Sequence, residues 1–146
     1  MSQKSPKKSS ESTPYQSSEE LYLALFEQAA EGIFIADKQG HYIEVNQRGC
    51  EMLGYTRAEL LGLTMKDLIP EEDQTRDPLL LDELRAGNSV LKERHLCCKD
   101  GRLLPVEISA RMLANGGFLG MVRDISKRKQ AEEQLRESNE RFRLLA

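Results

Sequence analysis

The amino-acid sequence predicts an α+β domain. A five-stranded antiparallel sheet carries small helices on one face, between an N-terminal flanking helix and a C-terminal coiled-coil linker helix. The β-prone runs are bunched, two within residues 32–45 and three within 90–123, so neighbours in sequence can pair as hairpins. Between the bunches stand short helix-prone segments, each with its own start and stop signals. The last apolar run, Phe118 to Val122, meets a charged, helix-prone run at Arg123-Asp124-Ile125-Ser126-Lys127-Arg128-Lys129 with no loop between them.

Residues 1–17 are rich in Ser, Lys and Pro and are expected to be disordered. Ser17 or Ser18 can cap a helix running through Glu19-Glu20-Leu21 to Ala30, with Leu21, Leu25 and Ala29, and with Tyr22 and Phe26, at helical spacing. Gly32 opens a strand, Ile33-Phe34-Ile35-Ala36-Asp37, and Asp37-Lys38-Gln39-Gly40 turns it into a second, Tyr42-Ile43-Glu44-Val45. Asn46 stands as N-cap of a helix from Gln47 to Leu53, and Gly54 stands where a C-cap glycine belongs. Thr56-Arg57-Ala58-Glu59 matches a capping box, stopped at Gly62. Thr64-Met65-Lys66-Asp67 starts a single turn that Pro70 limits. Asp77-Pro78 reads as an N-cap with Pro at the first helical position, for a helix from Leu79 to Ala86 ended by Gly87.

The remaining strands are Val90 to Cys98, Leu103 to Met112 and Phe118 to Arg123, the last pair joined by Asn115-Gly116. Leu104, Val106, Ile108, Ala110 and Met112 alternate onto one face. The turn Lys99-Asp100-Gly101 leaves two registers open. A two-residue turn sets His95 opposite Val106, on the face of Leu104 and Ile108. A three-residue turn puts Leu96 and Cys98 there instead and buries the more apolar set.

At 146 residues and 39% hydrophobic, with no Trp, the chain can form one modest core but not two. Residues 18–126 carry twelve Lys/Arg and nineteen Asp/Glu, a net −7, while each flank is +2. An acidic body argues against nucleic acid as a partner, because phosphate contacts need clustered cations. No apolar run approaches the roughly 18–20 residues of a membrane span, and no apolar segment follows the N-terminal lysines to make a signal peptide. Cys50, Cys97 and Cys98 are odd in number and read as free thiols in a reducing cytoplasm.

Gly32-Ile33-Phe34-Ile35-Ala36-Asp37, Val45-Asn46, Leu53-Gly54-Tyr55-Thr56, Glu59-Leu60-Leu61-Gly62, Lys99-Asp100-Gly101 and Arg123-Asp124-Ile125-Ser126, in this order and spacing, resemble a PAS domain of the sensory-box type over about residues 20–126. The closing Asp-Ile-Ser stands where the family usually shows Asp-Ile-Thr. The resemblance implies a five-stranded PAS-like fold. It also implies a place ahead of a histidine kinase, a diguanylate cyclase or a transcription regulator. Some such domains hold a small ligand between the sheet and the small helices.

A strand feeding directly into a helix is a mechanical joint. Asp124, Ile125 and Ser126 are therefore the expected transmission residues, with the Ser126 hydroxyl as helix cap and Asp124 accepting from nearby backbone or basic groups to tie the end of the last strand to the first helical turn. Beyond the joint, Arg128, Ala131, Leu135, Ser138, Phe142 and Leu145 form a short heptad seam. Leu21, Tyr22, Leu25, Ala131, Leu135 and Phe142 are the expected homodimer interface. Ser18-Glu19-Glu20-Leu21-Tyr22-Leu23-Ala24-Leu25 also echoes Ser138-Asn139-Glu140-Arg141-Phe142-Arg143-Leu144-Leu145. Residues 127–146 are accordingly expected to run from a domain spanning 18–126 into a second PAS-like repeat of a longer protein.

Haem is not expected: the sole histidines are His41, in a hairpin, and His95, and the helix after Pro78, where haem-binding relatives carry their ligand, has none. Photoactive flavin is not expected, because Gly62-Leu63-Thr64-Met65 has Met where light-sensing relatives place a reactive Cys. No cluster suggests a metal, and no nucleophile–base pair or phosphate-cradling loop suggests an enzyme. What remains is an apolar space for a small apolar or metabolite ligand, lined by Ile33, Ile35, Val45, Leu53, Leu68, Leu84, Val106, Ile108 and Met121, with Asn46 at its edge. The leading expectation is a cytoplasmic, dimeric sensory or relay module beside further PAS-like and output domains. The alternative is a passive dimerisation spacer with a filled core.

Overall fold

A computed structural model describes residues 15–145. The expected tail therefore lies outside the described residues except for 15–17, of which Ser17 caps the first helix by accepting the Glu20 N–H. The elements are α1 (Ser18–Gln28), β1 (Gly32–Ala36), β2 (Tyr42–Val45), α2 (Gln47–Leu53), α3 (Arg57–Leu60), a 3-10 turn (Met65–Leu68), α4 (Asp73–Arg76), α5 (Leu81–Arg85), β3 (Val90–Cys97), β4 (Leu103–Met112), β5 (Phe118–Asp124) and α6 (Ser126–Leu145). The five strands form one antiparallel sheet in the order β2-β1-β5-β4-β3. The two chain-adjacent bunches thus meet where β1 pairs β5.

Asn46 is wholly buried and uses its whole amide. Its Oδ1 accepts from the Gly49 and Ile33 N–H groups, both at 2.9 Å, and its Nδ2 donates to the carbonyls of Phe26 (2.8 Å) and Glu31 (3.1 Å). One side chain thereby caps α2 and ties it to β1 and the end of α1. Gly49 sits so close to the sheet that a Cβ there would stand 2.8 Å from Val45 Cγ2 and 3.0 Å from the Phe34 ring. The capping box at Thr56 and Glu59 forms as its spacing predicts.

The β3–β4 hairpin adopts the three-residue turn. Cys98 N–H donates to the Arg102 carbonyl at 2.8 Å, and Gly101 takes φ +90°, which a side chain disfavours. Leu96 opposes Leu104 and Arg94 opposes Val106, so Leu96 and Cys98 are buried while His95 faces outward. The core between sheet and helices includes Phe34, Val45, Leu53, Leu60, Leu68, Leu96, Leu104, Val106 and Val122.

One expectation about the small helices needs correction. Asp77-Pro78 does not start a helix: α5 begins only at Leu81, and Leu80 precedes it without a side-chain cap. The Asp77 carboxylate is instead drawn to Lys92 and Arg94 on β3. A helical turn, α4, forms just before it.

Candidate functional site

A cavity of about 90 Å³ lies between the sheet and the 3-10 turn and α5. Its wall includes Phe34, Tyr42, Met65, Leu68, Leu79, Leu84, Leu96, Ile108, Phe118 and Val122. Lys92 and Arg94 bring cationic groups to it. Burial pushes the Tyr42 phenol well above its usual range, so it stays a neutral hydroxyl at the wall.

Of the residues expected to line such a space, Leu68, Leu84 and Ile108 do. Val45, Leu53 and Val106 are instead fully packed in the core beside it. Asn46 is the clasp described above rather than a pocket edge. Ile33, Ile35 and Met121 lie on the opposite face. Burial along β1 alternates through Gly32, Phe34 and Ala36, and Met121 pairs with Ile33 and so shares its side. A continuous apolar run offers no alternation from which to choose a face; the close approach of α2 at Gly32 and Gly49 decides it. Lys92 and Arg94 were missed, yet the signal existed: the register that buries Leu96 also turns the residues two and four before it inward.

The polar corner is built by Asp77. Lys92 Nζ lies 2.8 Å from Asp77 Oδ1, Arg94 Nη2 lies 4.0 Å from Oδ2, and Arg94 also donates to the Asp77 carbonyl. The Lys92 hydrogen bond foremost, then the two nearby positive charges, hold the Asp77 carboxyl below its usual range against some desolvation.

At the joint, Ile125 is the single residue between β5 and α6. It is buried, and its N–H donates to the Pro105 carbonyl at 3.1 Å. The helix is capped by Asp124, not by Ser126: Asp124 Oδ1 accepts the Ser126 N–H at 2.8 Å. Ser126 is already the first helical residue, so its hydroxyl lies one position too far along to cap. Partial burial raises the Asp124 carboxyl, but the hydrogen bonds from the Ser126 hydroxyl and N–H outweigh it and leave it below the usual range. Glu93 on β3 binds the first turn of α6 from outside the sheet, through Arg128 and through Lys129 at 3.1 Å. Arg123 meanwhile bridges Glu31 (2.9 Å) and Glu107 (3.6 Å).

The expected interface residues Leu21, Tyr22, Leu25, Ala131, Leu135 and Phe142 are all exposed, Phe142 to 74%. Phe26, by contrast, is buried, with Tyr22 stacked on it at 5.7 Å. Cys50 and Cys98 are buried and Cys97 half-buried, and burial raises all three thiols. Among the described residues, no group of three His, Cys, Asp or Glu side chains could hold a metal, and no helix is long and apolar enough to cross a membrane.

The chain resembles known sensors in sequence and shape. It is 30% identical over 132 residues to the methyl sulfide methyltransferase-associated sensor of Methanosarcina acetivorans, covering 88% of this chain and 13% of that protein. It is 27% identical over 127 residues to sporulation kinase E of Bacillus subtilis, covering 86% and 17%. The chain thus spans less than a fifth of the length of these curated relatives. A crystal structure of a domain of the sensory box sensor histidine kinase/response regulator from Geobacter sulfurreducens superposes with a TM-score of 0.65 at 40% identity, covering 71% of this chain and 91% of that one. Residues 20–125 match the PAS fold family, whose members are sensory rather than catalytic modules, and the chain belongs to that family.

Proposed function

We propose that this PAS domain is an input module that reads the occupancy of its cavity and passes the change to α6. The observation that carries this reading is the placement of two adjacent residues on β3. Arg94 faces the cavity, and Glu93, on the opposite face, holds Arg128 and Lys129 of α6. A second route runs along β5, where Phe118 and Val122 line the cavity and Asp124 caps α6. Because a strand is stiff along its length, a shift at the wall moves both attachments of the helix together.

The module acts in a longer cytoplasmic protein, with a histidine kinase as the favoured output; the Geobacter and Bacillus relatives support that choice. It pairs with a second copy through α1 and α6, whose apolar residues lie exposed, and α6 leads on to a following PAS-like module. Spin labels on α6 and β4 test the reading. In the full-length protein, the distance between them shifts when the signal is present, and Glu93→Gln reduces that shift. An unchanged distance alongside a changing output would sink it.

A further inference from the structure

The cavity wall carries a charge that the surrounding fold only half answers. The Arg94 side chain is 3% exposed, and its Nε has no hydrogen-bond partner among the described residues. Its neighbour Asp77 is shared: the carboxylate lies 2.8 Å from Lys92 and 4.0 Å from Arg94. Two cations therefore face one carboxylate, and one positive charge is left over. A buried charged donor without a partner is costly to maintain, so an orphan of this kind calls for a group that satisfies it.

The rest of the wall limits what that group can be. Phe34, Leu68, Leu84, Ile108 and Val122 are apolar, so the ligand needs an apolar body behind its charged end. A cavity of about 90 Å³ favours a small ligand over a drug-sized one. A phosphate monoester or a dicarboxylate would bring more negative charge than the single surplus and would leave polar oxygens against hydrocarbon.

We propose that the cavity binds a short-chain aliphatic monocarboxylate, in the range from acetate to butyrate, with its carboxylate held by the Arg94 guanidinium beside Lys92. The proposal rests on reading the cavity as a ligand site and names the chemistry of that ligand. The incoming carboxylate competes with Asp77 for both cations. Asp77 leads directly into Leu79 and Leu80, which line the cavity, so binding is felt in the 77–80 segment as well as along β3.

Calorimetric titration of the chain with sodium butyrate and with uncharged butanamide, at matched ionic strength and pH 7, tests this. Butyrate is expected to bind at least about tenfold more tightly than butanamide, the margin set by one charge-assisted hydrogen bond. Arg94→Met is expected to fold, since Asp77 keeps Lys92 at 2.8 Å and is not left as an uncompensated charge, and to lose that margin. Asp77→Asn, which removes the competing carboxylate, is expected to tighten butyrate binding and gives an answer even if Arg94→Met fails to fold. Equal binding of butyrate and butanamide, or butyrate binding indifferent to both substitutions, overturns the carboxylate assignment while leaving a ligand cavity in place. Binding of neither compound overturns the assignment as well. The wider reading then falls only if protein purified from cells carries no small molecule and a metabolite panel leaves its melting temperature unmoved.

Discussion

The carboxylate of Asp124 accepts the backbone N–H of Ser126 at 2.8 Å, so the last residue of the sheet caps the first residue of α6. Strand and helix share a hydrogen bond across the single residue Ile125. Ser126→Pro removes that N–H while placing proline at the first helical position, where it is well tolerated. Helix content by circular dichroism should hold, and urea denaturation should show a loss of about 1 kcal/mol, the usual scale of a lost cap. Ser126→Ala keeps the N–H and should lose less. Equal losses in the two variants would mean that the backbone hydrogen bond contributes nothing.

The same contact sets a pH dependence. The folded-state pKa of Asp124 is lowered by its Ser126 hydrogen bonds against partial burial. Its contribution is therefore complete above the unfolded carboxylate value and is lost as pH falls through the lower folded value. Other carboxylates, including Glu93 and Asp77, act in the same direction. The diagnostic quantity is thus the difference between wild type and Asp124→Asn. The wild type should lose more of its urea midpoint between pH 7 and pH 3 than the variant; parallel curves would exclude this origin.

Asn46→Ala should be among the most damaging single changes. It strips partners from the Ile33 and Gly49 N–H groups and from the Phe26 and Glu31 carbonyls. Each buried group left unsatisfied costs about 1–3 kcal/mol, so a total loss of at least about 3 kcal/mol is expected by chemical denaturation. A loss below 1 kcal/mol, on the order of a simple cap, would show that water takes over the clasp.

Gly49→Ala should destabilise by about 1–3 kcal/mol through overpacking against Val45 and Phe34. Thermal unfolding would show it as a lowered midpoint, and Val45→Ala in the same chain should recover part of the loss by clearing the nearest contact.

Leu135→Glu with Phe142→Glu should turn a dimer into a monomer in sedimentation equilibrium without lowering the thermal stability of the sheet, since both side chains are exposed in the single chain. An unaltered mass would place the interface elsewhere.

Much of the fold is legible in the sequence, because local chemistry names its own elements: Asn46, Gly54, Thr56 and Glu59 cap and stop helices where their side chains suit the backbone. The face of β1 could not be read in this way. Ile33, Phe34 and Ile35 are all apolar, and only the close approach of Gly49 from a distant helix selects Phe34. The Asp77-Pro78 cap failed for a related reason. A carboxylate that could serve its own backbone is claimed by Lys92 and Arg94 on β3, across a separation that no local pattern encodes. Arg94 was not singled out, because an arginine's residue type suggests exposure more strongly than an alternating register suggests burial.

The three-residue turn at Lys99-Asp100-Gly101 works as a parity setting for β3. Removing or adding one residue there would turn the strand inside out relative to β4, swinging Arg94 into solvent and Glu93 against the hydrocarbon. The cavity would lose its cation and α6 its anchor in one event, without a change in either residue. Insertions in this loop should therefore be tolerated in pairs and rejected singly, unless a bulge absorbs the odd residue.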